Sequence, residues 1–178
     1  MESENKAKLK WYAVQTFNHK ENEISKLLTE QGIANFIPMR YAEKGDSDGH
    51  KKRILVPAVH NLVFMQADIQ KADMKDFQAR CTIPARIIRK QDTDDYYVIP
   101  DSEMTEFRAI CDPNYTGTLY VTSEFAEAKV GQEVIVTHGT FKGLRGKLVR
   151  YKNRYYVVKV LTTAGVMLHI PKWYCEKA

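Results

Sequence analysis

Apolar positions along this chain change their period repeatedly, and each change marks an element. Lys10-Trp-Tyr-Ala-Val-Gln-Thr-Phe17 is dense in aromatic and β-branched residues, which suit a pleated, half-buried surface, and predicts a strand. Ile24, Leu27 and Leu28 then recur at helical spacing. Asn18 stands three residues before Glu21, as in a capping box, and Gly32 supplies the stop. Ile33 to Tyr41 reads as extended, with Pro38 placing it at a sheet edge. Lys44-Gly-Asp-Ser-Asp-Gly-His-Lys-Lys-Arg53 reads as a polar hairpin loop. Short strands follow at Ile54 to Val56 and Leu62 to Gln66. Lys71 to Arg80 predicts a helix with Met74 and Phe77 inward. Strands at Ala85 to Arg89 and Tyr96 to Ile99 flank the acidic turn Asp92-Thr-Asp-Asp95. Pro100-Asp-Ser-Glu103 opens a helix that carries Met104, Phe107 and Ile110.

This succession predicts an α+β domain over residues 1–112, a mostly antiparallel sheet with helices on one side and split βαβ character. Asp112-Pro-Asn-Tyr-Thr-Gly117 is a turn-rich break that begins a linker, residues 113–128. A second module spans 129–178, with strands at Glu133–His138, Leu144–Arg150, Tyr155–Leu161 and Val166–Pro171. Tight turns fall at Lys152-Asn-Arg154 and Thr163-Ala-Gly165. Short strands with glycine turns predict a small closed or nearly closed β-barrel. Its densest signal is Val134 to Val149, two strands joined by a loop with Gly139, Gly143 and Gly146. Glycines there allow positive φ and the close approach of another chain.

A length of 178 residues accommodates one domain or two small ones, and 44% apolar content argues against global disorder. No apolar run reaches the ~18 residues that span a bilayer. Met1 to Lys10 is polar and lacks the apolar stretch of a secretory signal. Cys81, Cys111 and Cys175 are odd in number and far apart, which favours reduced thiols in a cytoplasm over a disulfide scaffold. Charge is uneven. Residues 113–178 hold ten of the 27 Lys and Arg but four of the 22 Asp and Glu, and none of those acids lies between Val134 and Cys175. A basic second module beside a charge-balanced first one implies different partners, unless it is simply a solvated basic surface.

Catalytic patterns are missing from the sequence. It has no Gly-x-Ser-x-Gly elbow and no Walker loop, and Gly139-x-x-x-Gly143 lacks the Gly-Lys-Ser/Thr ending. His19, His50, His60, His138 and His169 stand at no metal-ligand spacing, so neither a metal nor another cofactor is expected; His60 beside Asn61 reads as structural or interfacial. Asp94-Asp95 sits in a polar turn and reads as solvated. A non-enzyme is the expectation.

The Val134–Val149 segment resembles a KOW motif, and the chain from about Leu9 to Tyr174 resembles the NusG family of transcription elongation factors. The opening strand Trp11-Tyr-Ala-Val-Gln-Thr-Phe17, the helix after it, the Pro57–Met65 strand, the Pro100-Asp-Ser-Glu103 helix start and the glycine-rich motif occur in the family's order. Housekeeping members usually carry Pro-Gly-Tyr before the third strand. Pro57-Ala-Val-His-Asn-Leu-Val-Phe-Met65 departs from that and looks closer to specialised RfaH-like paralogues that act on selected long operons, often for polysaccharide synthesis.

The resemblance implies a NusG N-terminal-like domain followed by a small SH3-like KOW barrel. It also implies an elongation or antitermination regulator, monomeric, with its N-terminal domain on the RNA polymerase clamp. The matching polymerase-binding positions are Gln15, Phe17, Val59, Asn61 and Phe64, and a second polymerase contact would fall near Asp73, Met74, Lys75 and Asp76. The barrel would recruit a ribosomal protein, a termination factor or nucleic acid, with Val136, Phe141, Gly143, Leu144 and Gly146 at the partner-binding positions.

Two groups carry alternatives. Phe17 and Phe64 suit plain packing as well as a docking patch, because aromatics dominate cores and interfaces alike; Trp11 reads as core. Lys142, Arg145, Lys147, Arg150 and Lys152, interleaved with Tyr151, Tyr155 and Tyr156, have a nucleic-acid-binding composition, since cations neutralise phosphates and aromatic faces stack bases. Strand alternation in a soluble barrel produces the same pattern. The alternative function is an RNA-binding translation factor on the ribosome, which should be basic throughout.

Overall fold

The computed structural model of the chain describes residues 9–68 and 71–178, with side chains 71–73 excepted. In chain order the elements are β1 (Lys10–Thr16), α1 (Glu21–Glu30), β2 (Ala34–Phe36), β3 (Met39–Gly45), β4 (Lys51–Pro57), β5 (Leu62–Ala67), α2 (Lys71–Arg80), β6 (Ala85–Ile87), α3 (Asp101–Ile110), β7 (Thr118–Thr122), α4 (Ser123–Glu127), β8 (Gly131–Val136), β9 (Arg145–Tyr151), β10 (Arg154–Leu161), β11 (Ala164–His169) and β12 (Cys175–Lys177). Two compact units form. One runs up to Ile37 and from His60 to Met104; the other comprises Pro38–Val59 and Thr105–Ala178.

The first unit is an antiparallel sheet in the order β2-β5-β1-β6, as the α+β reading expects. One face carries Tyr12, Val14, Val63, Met65 and Ile87, which pack with Ile24 and Leu28 of α1 and Met74 and Phe77 of α2. Burying each such side chain contributes about 1.5–3 kcal/mol. The spacing of Ile24 and Leu28 places both on one stripe of α1, and that stripe is what fixes the helix to the sheet. Gly32, at φ 71, ends it in the left-handed cap expected of it.

The start of α1 departs from the sequence expectation. The helix begins at Glu21 after Lys20, with no side-chain cap. Asn18 and His19 both sit at φ 56 and turn the chain instead, so Asn18 is no capping residue. The Glu21 carboxylate accepts the backbone N–H of Asn61, a residue from the turn before β5.

In the second unit, β3 and β4 form a two-stranded ladder that runs from Met39↔Pro57 to Gly45↔Lys51. Half of the expected polar loop, Lys44–Gly45 and Lys51–Arg53, is therefore strand. Backbone hydrogen bonds build a ladder whatever the side-chain polarity, and a solvated pair tolerates charge. The turn is tied by Asp46 Oδ1, which accepts from the N–H groups of His50 at 2.8 Å and Asp48 at 3.1 Å. The Arg53 guanidinium lies 3.8 Å from the Tyr41 ring centroid.

The rest of this unit centres on a six-stranded antiparallel sheet, β12-β8-β9-β10-β11-β7. The stretch read as linker, 113–128, carries β7 and α4, and β7 pairs with β11 from Thr118↔Leu168 to Thr122↔Ala164. The turn residues at Asp112–Gly117 mark a real break, but Leu119 and Val121 then resume a strand. Thr122 ends it and caps α4, its hydroxyl oxygen accepting Phe125 N–H at 3.2 Å. Ala126 of α4 packs with Val149, Tyr156, Val158 and Met167. Lys152 and Asn153, at φ 45 and 60, form the tight turn expected between β9 and β10.

Candidate functional site

β1, a central strand, places Gln15 near its C-terminal end opposite Leu62, and Thr16 N–H donates to Asn61 O at 3.0 Å. That bond sets Asn61 against Thr16, the residue before Phe17. Phe17 is 41% exposed, a large apolar side chain left half in water. Gln15 Oε1 accepts from Arg86 Nε at 2.7 Å. Val59 is half-buried in the same turn. Arg86 escaped the sequence reading; its only signal was its place in a strand that borders β1.

Phe64 does not join this surface. It shares the strand face of Gln15 and Phe17 but is fully buried, as are Ala13 and Leu62, with Phe36 stacked on it at 6.4 Å between centroids. Trp11, also on that face, is buried as expected. Both faces of β5 are covered along Leu62–Met65, and the docking role assigned to Phe64 gives way to packing. Of the second expected contact, Met74 is fully buried, Lys75 and Asp76 are exposed, and the side chain of Asp73 lies outside the described residues.

His19, Glu21 and His60 converge next to the same turn. The two imidazoles meet edge to face, 4.7 Å between centroids and 80° between planes. His19 N–H donates to Asn61 Oδ1 at 3.0 Å. Sequence spacing gave no sign of this group, because β1, α1 and the turn before β5 come together only through β1–β5 pairing.

In the second unit the glycine-rich loop joins β8 to β9. Gly143 takes φ 94, a left-handed conformation, and a Cβ on Gly146 would lie 2.7 Å from the carbonyl oxygen of Val158. Val136 and Leu144 are buried, so two of the five expected partner-binding positions are packing residues. Phe141 is half-buried and edge to face with Tyr115 at 4.9 Å. Phe141, Tyr115, Val136, His138 and Tyr174 are among the walls of a pocket of about 240 Å³. Tyr115 and Tyr174 were not singled out from sequence, since they lie far from the motif.

The cationic series is divided. Arg145 and Lys147 share one face of β9 by parity, whereas Arg150 occupies the other, and Lys142 and Lys152 sit in turns. Lys147 Nζ donates to Glu127 O at 3.1 Å. Tyr151 is edge to face with Phe125, and the Lys129 ammonium lies 4.2 Å from the Phe125 centroid. Tyr156 is buried. Lys159 pairs with Glu106 at 2.6 Å. The tyrosines read as stacking platforms are thus partly committed to packing.

Burial pushes the Cys111 thiol up to about 12, against a smaller opposing effect of the Tyr120 hydroxyl; the Tyr120 hydroxyl is itself pushed up, by burial first. A thiol so raised is no nucleophile near neutrality. Burial also raises Cys175.

Residues 9–108 match the family model described as transcription termination factor nusG. Among solved structures, the chain is similar to one titled "Domain interaction in Thermotoga maritima NusG", with a TM-score of 0.50 and 19% identity, covering 96% of this chain and 97% of that one. A likeness at that identity speaks for the fold alone. No curated protein matches the chain.

Proposed function

The chain belongs to the NusG family of transcription elongation and antitermination factors, and from that membership we propose that its N-terminal domain docks on the RNA polymerase clamp while its C-terminal domain recruits a second factor. The observation that carries this reading is Phe17. It stands 41% exposed at the end of a central strand, inside the matched region, with the polar Gln15 two residues before it and Asn61 bonded to the adjoining Thr16. An exposed aromatic rimmed by polar groups is the composition of an interface hot spot.

On this reading residues 1–112 form the polymerase-binding domain and 129–178 act as a KOW-type barrel, to whose sheet β7 of the 113–128 stretch adds a strand. Phe141 and its pocket support partner capture there, with a ribosomal protein or a termination factor as the occupant. Pro57-Ala-Val-His-Asn-Leu62, which lacks Pro-Gly-Tyr, favours a specialised RfaH-like member acting as a cytoplasmic monomer. The competing RNA-binding reading loses support from the β9 parity, which separates Arg145 and Lys147 from Arg150 and offers no single cationic face.

Binding of the full chain to purified core polymerase tests the proposal. Phe17→Asp should weaken binding by about thirtyfold, the scale of a hot-spot residue (about 2 kcal/mol), with an unchanged unfolding transition. Undiminished binding by Phe17→Asp would refute the docking patch.

A further inference from the structure

We propose that His19, Glu21 and His60 form a binding site for a divalent transition-metal ion, zinc(II) foremost. Each offers one ligand atom, and those atoms all lie within 4.8 Å of one another. The inference does not depend on the polymerase reading.

The donor set selects the metal. Two imidazole nitrogens and a carboxylate oxygen suit zinc at bond lengths of about 2.0–2.2 Å, with water in the fourth position. Calcium and magnesium prefer all-oxygen shells. Tetrahedral bonds of that length set ligand atoms about 3.3 Å apart, so closure needs only small side-chain adjustments. Both histidines are exposed and free to make them.

Glu21 supplies the electrostatic reason. Its residue is 1% exposed, and a buried carboxylate requires compensation. The Asn61 N–H provides one hydrogen bond and leaves lone pairs for a cation. Lys20, the neighbouring cation, is engaged by Glu23 at 2.5 Å. A divalent ion held between Glu21 and the two imidazoles answers the remaining charge.

The scaffold is also fixed in advance. Asn61 binds three elements at once: its carbonyl accepts from Thr16, its side-chain oxygen accepts from His19 N–H, and its N–H donates to Glu21. Asn18, His19 and Asn61 hold φ values of 56, 56 and 59. Left-handed non-glycine residues concentrated at one place are a known companion of binding sites. Hydrogen bonds to the ligating segments orient them for a metal as outer-shell partners do.

Zinc titration of the full chain against a chromophoric chelator, with cobalt(II) absorption as a second readout, tests the site. The wild type should take up one zinc per chain and show a tetrahedral cobalt spectrum. His60→Ala and His19→Asn should each lose roughly tenfold or more in affinity and lose the spectrum. Asn keeps the backbone tolerance that position 19 needs, and both positions are exposed, so thermal unfolding in chelator should match the wild type. His50→Ala, in the hairpin turn, should bind as the wild type does. Retention of wild-type affinity in His19→Asn and His60→Ala would overturn the assignment, as would a wild type that takes up no zinc.

Discussion

Phe17 and Phe64 show how two aromatics on one strand face come to different ends. Both were candidates for the same patch. Phe64 is wholly enclosed, and Phe17, at the end of the face, stays 41% exposed. Phe64→Ala should therefore destabilise the first unit by about 3–5 kcal/mol, the cost of an emptied aromatic site. Phe17→Ala should stay within about 0.5 kcal/mol, as surface replacements do. Denaturant titration of the full chain reads both, and equal losses would contradict the assignment. Alternation told which residues share a face. It could not tell which end of that face is covered, because coverage is a tertiary property.

Among the elements, the glycine-rich loop was the most legible. Gly143 does take positive φ, and Gly146 does permit close approach. Gly146→Ala should cost about 1–3 kcal/mol by overpacking against the Val158 carbonyl. Gly45→Ala, where a Cβ meets nothing within 4 Å, should be nearly silent in the same denaturant titration. Helices α1 and α3 were legible through their apolar stripes, and Met104, Phe107 and Ile110 are all buried as expected. The hairpin of β3 and β4 was legible as such, but the charged inner ends of its strands were read as loop, since a solvated ladder leaves no apolar alternation to read. Asn18 misled because a capping residue and a left-handed turn residue share the same chemistry. The His19–Glu21–His60 group was invisible for a third reason: its members meet only after β1 and β5 pair.

At the level of the whole molecule, charge asymmetry remains the plainest sequence signal, and such a signal bears on association and solubility and not on the fold. Among the described residues no helix is long and apolar enough to cross a membrane. The two units also differ in how far along the chain their strand partners lie. Strands β8 to β11 each pair with the next, closing at Lys152-Asn153 and at Leu161↔Ala164. β1 waits for β5 and β6, from Lys10↔Ala67 to Val14↔Ile87. Loop closure entropy makes distant pairing slow and neighbouring pairing fast. Refolding followed by pulsed amide exchange should protect Val157 and Val158 before Val14 and Val63; simultaneous protection would count against this order. A ribosome releases β1 first, yet that strand must idle without its mates until Ile87 has emerged, whereas the late-made meander can zip shut almost as it is released.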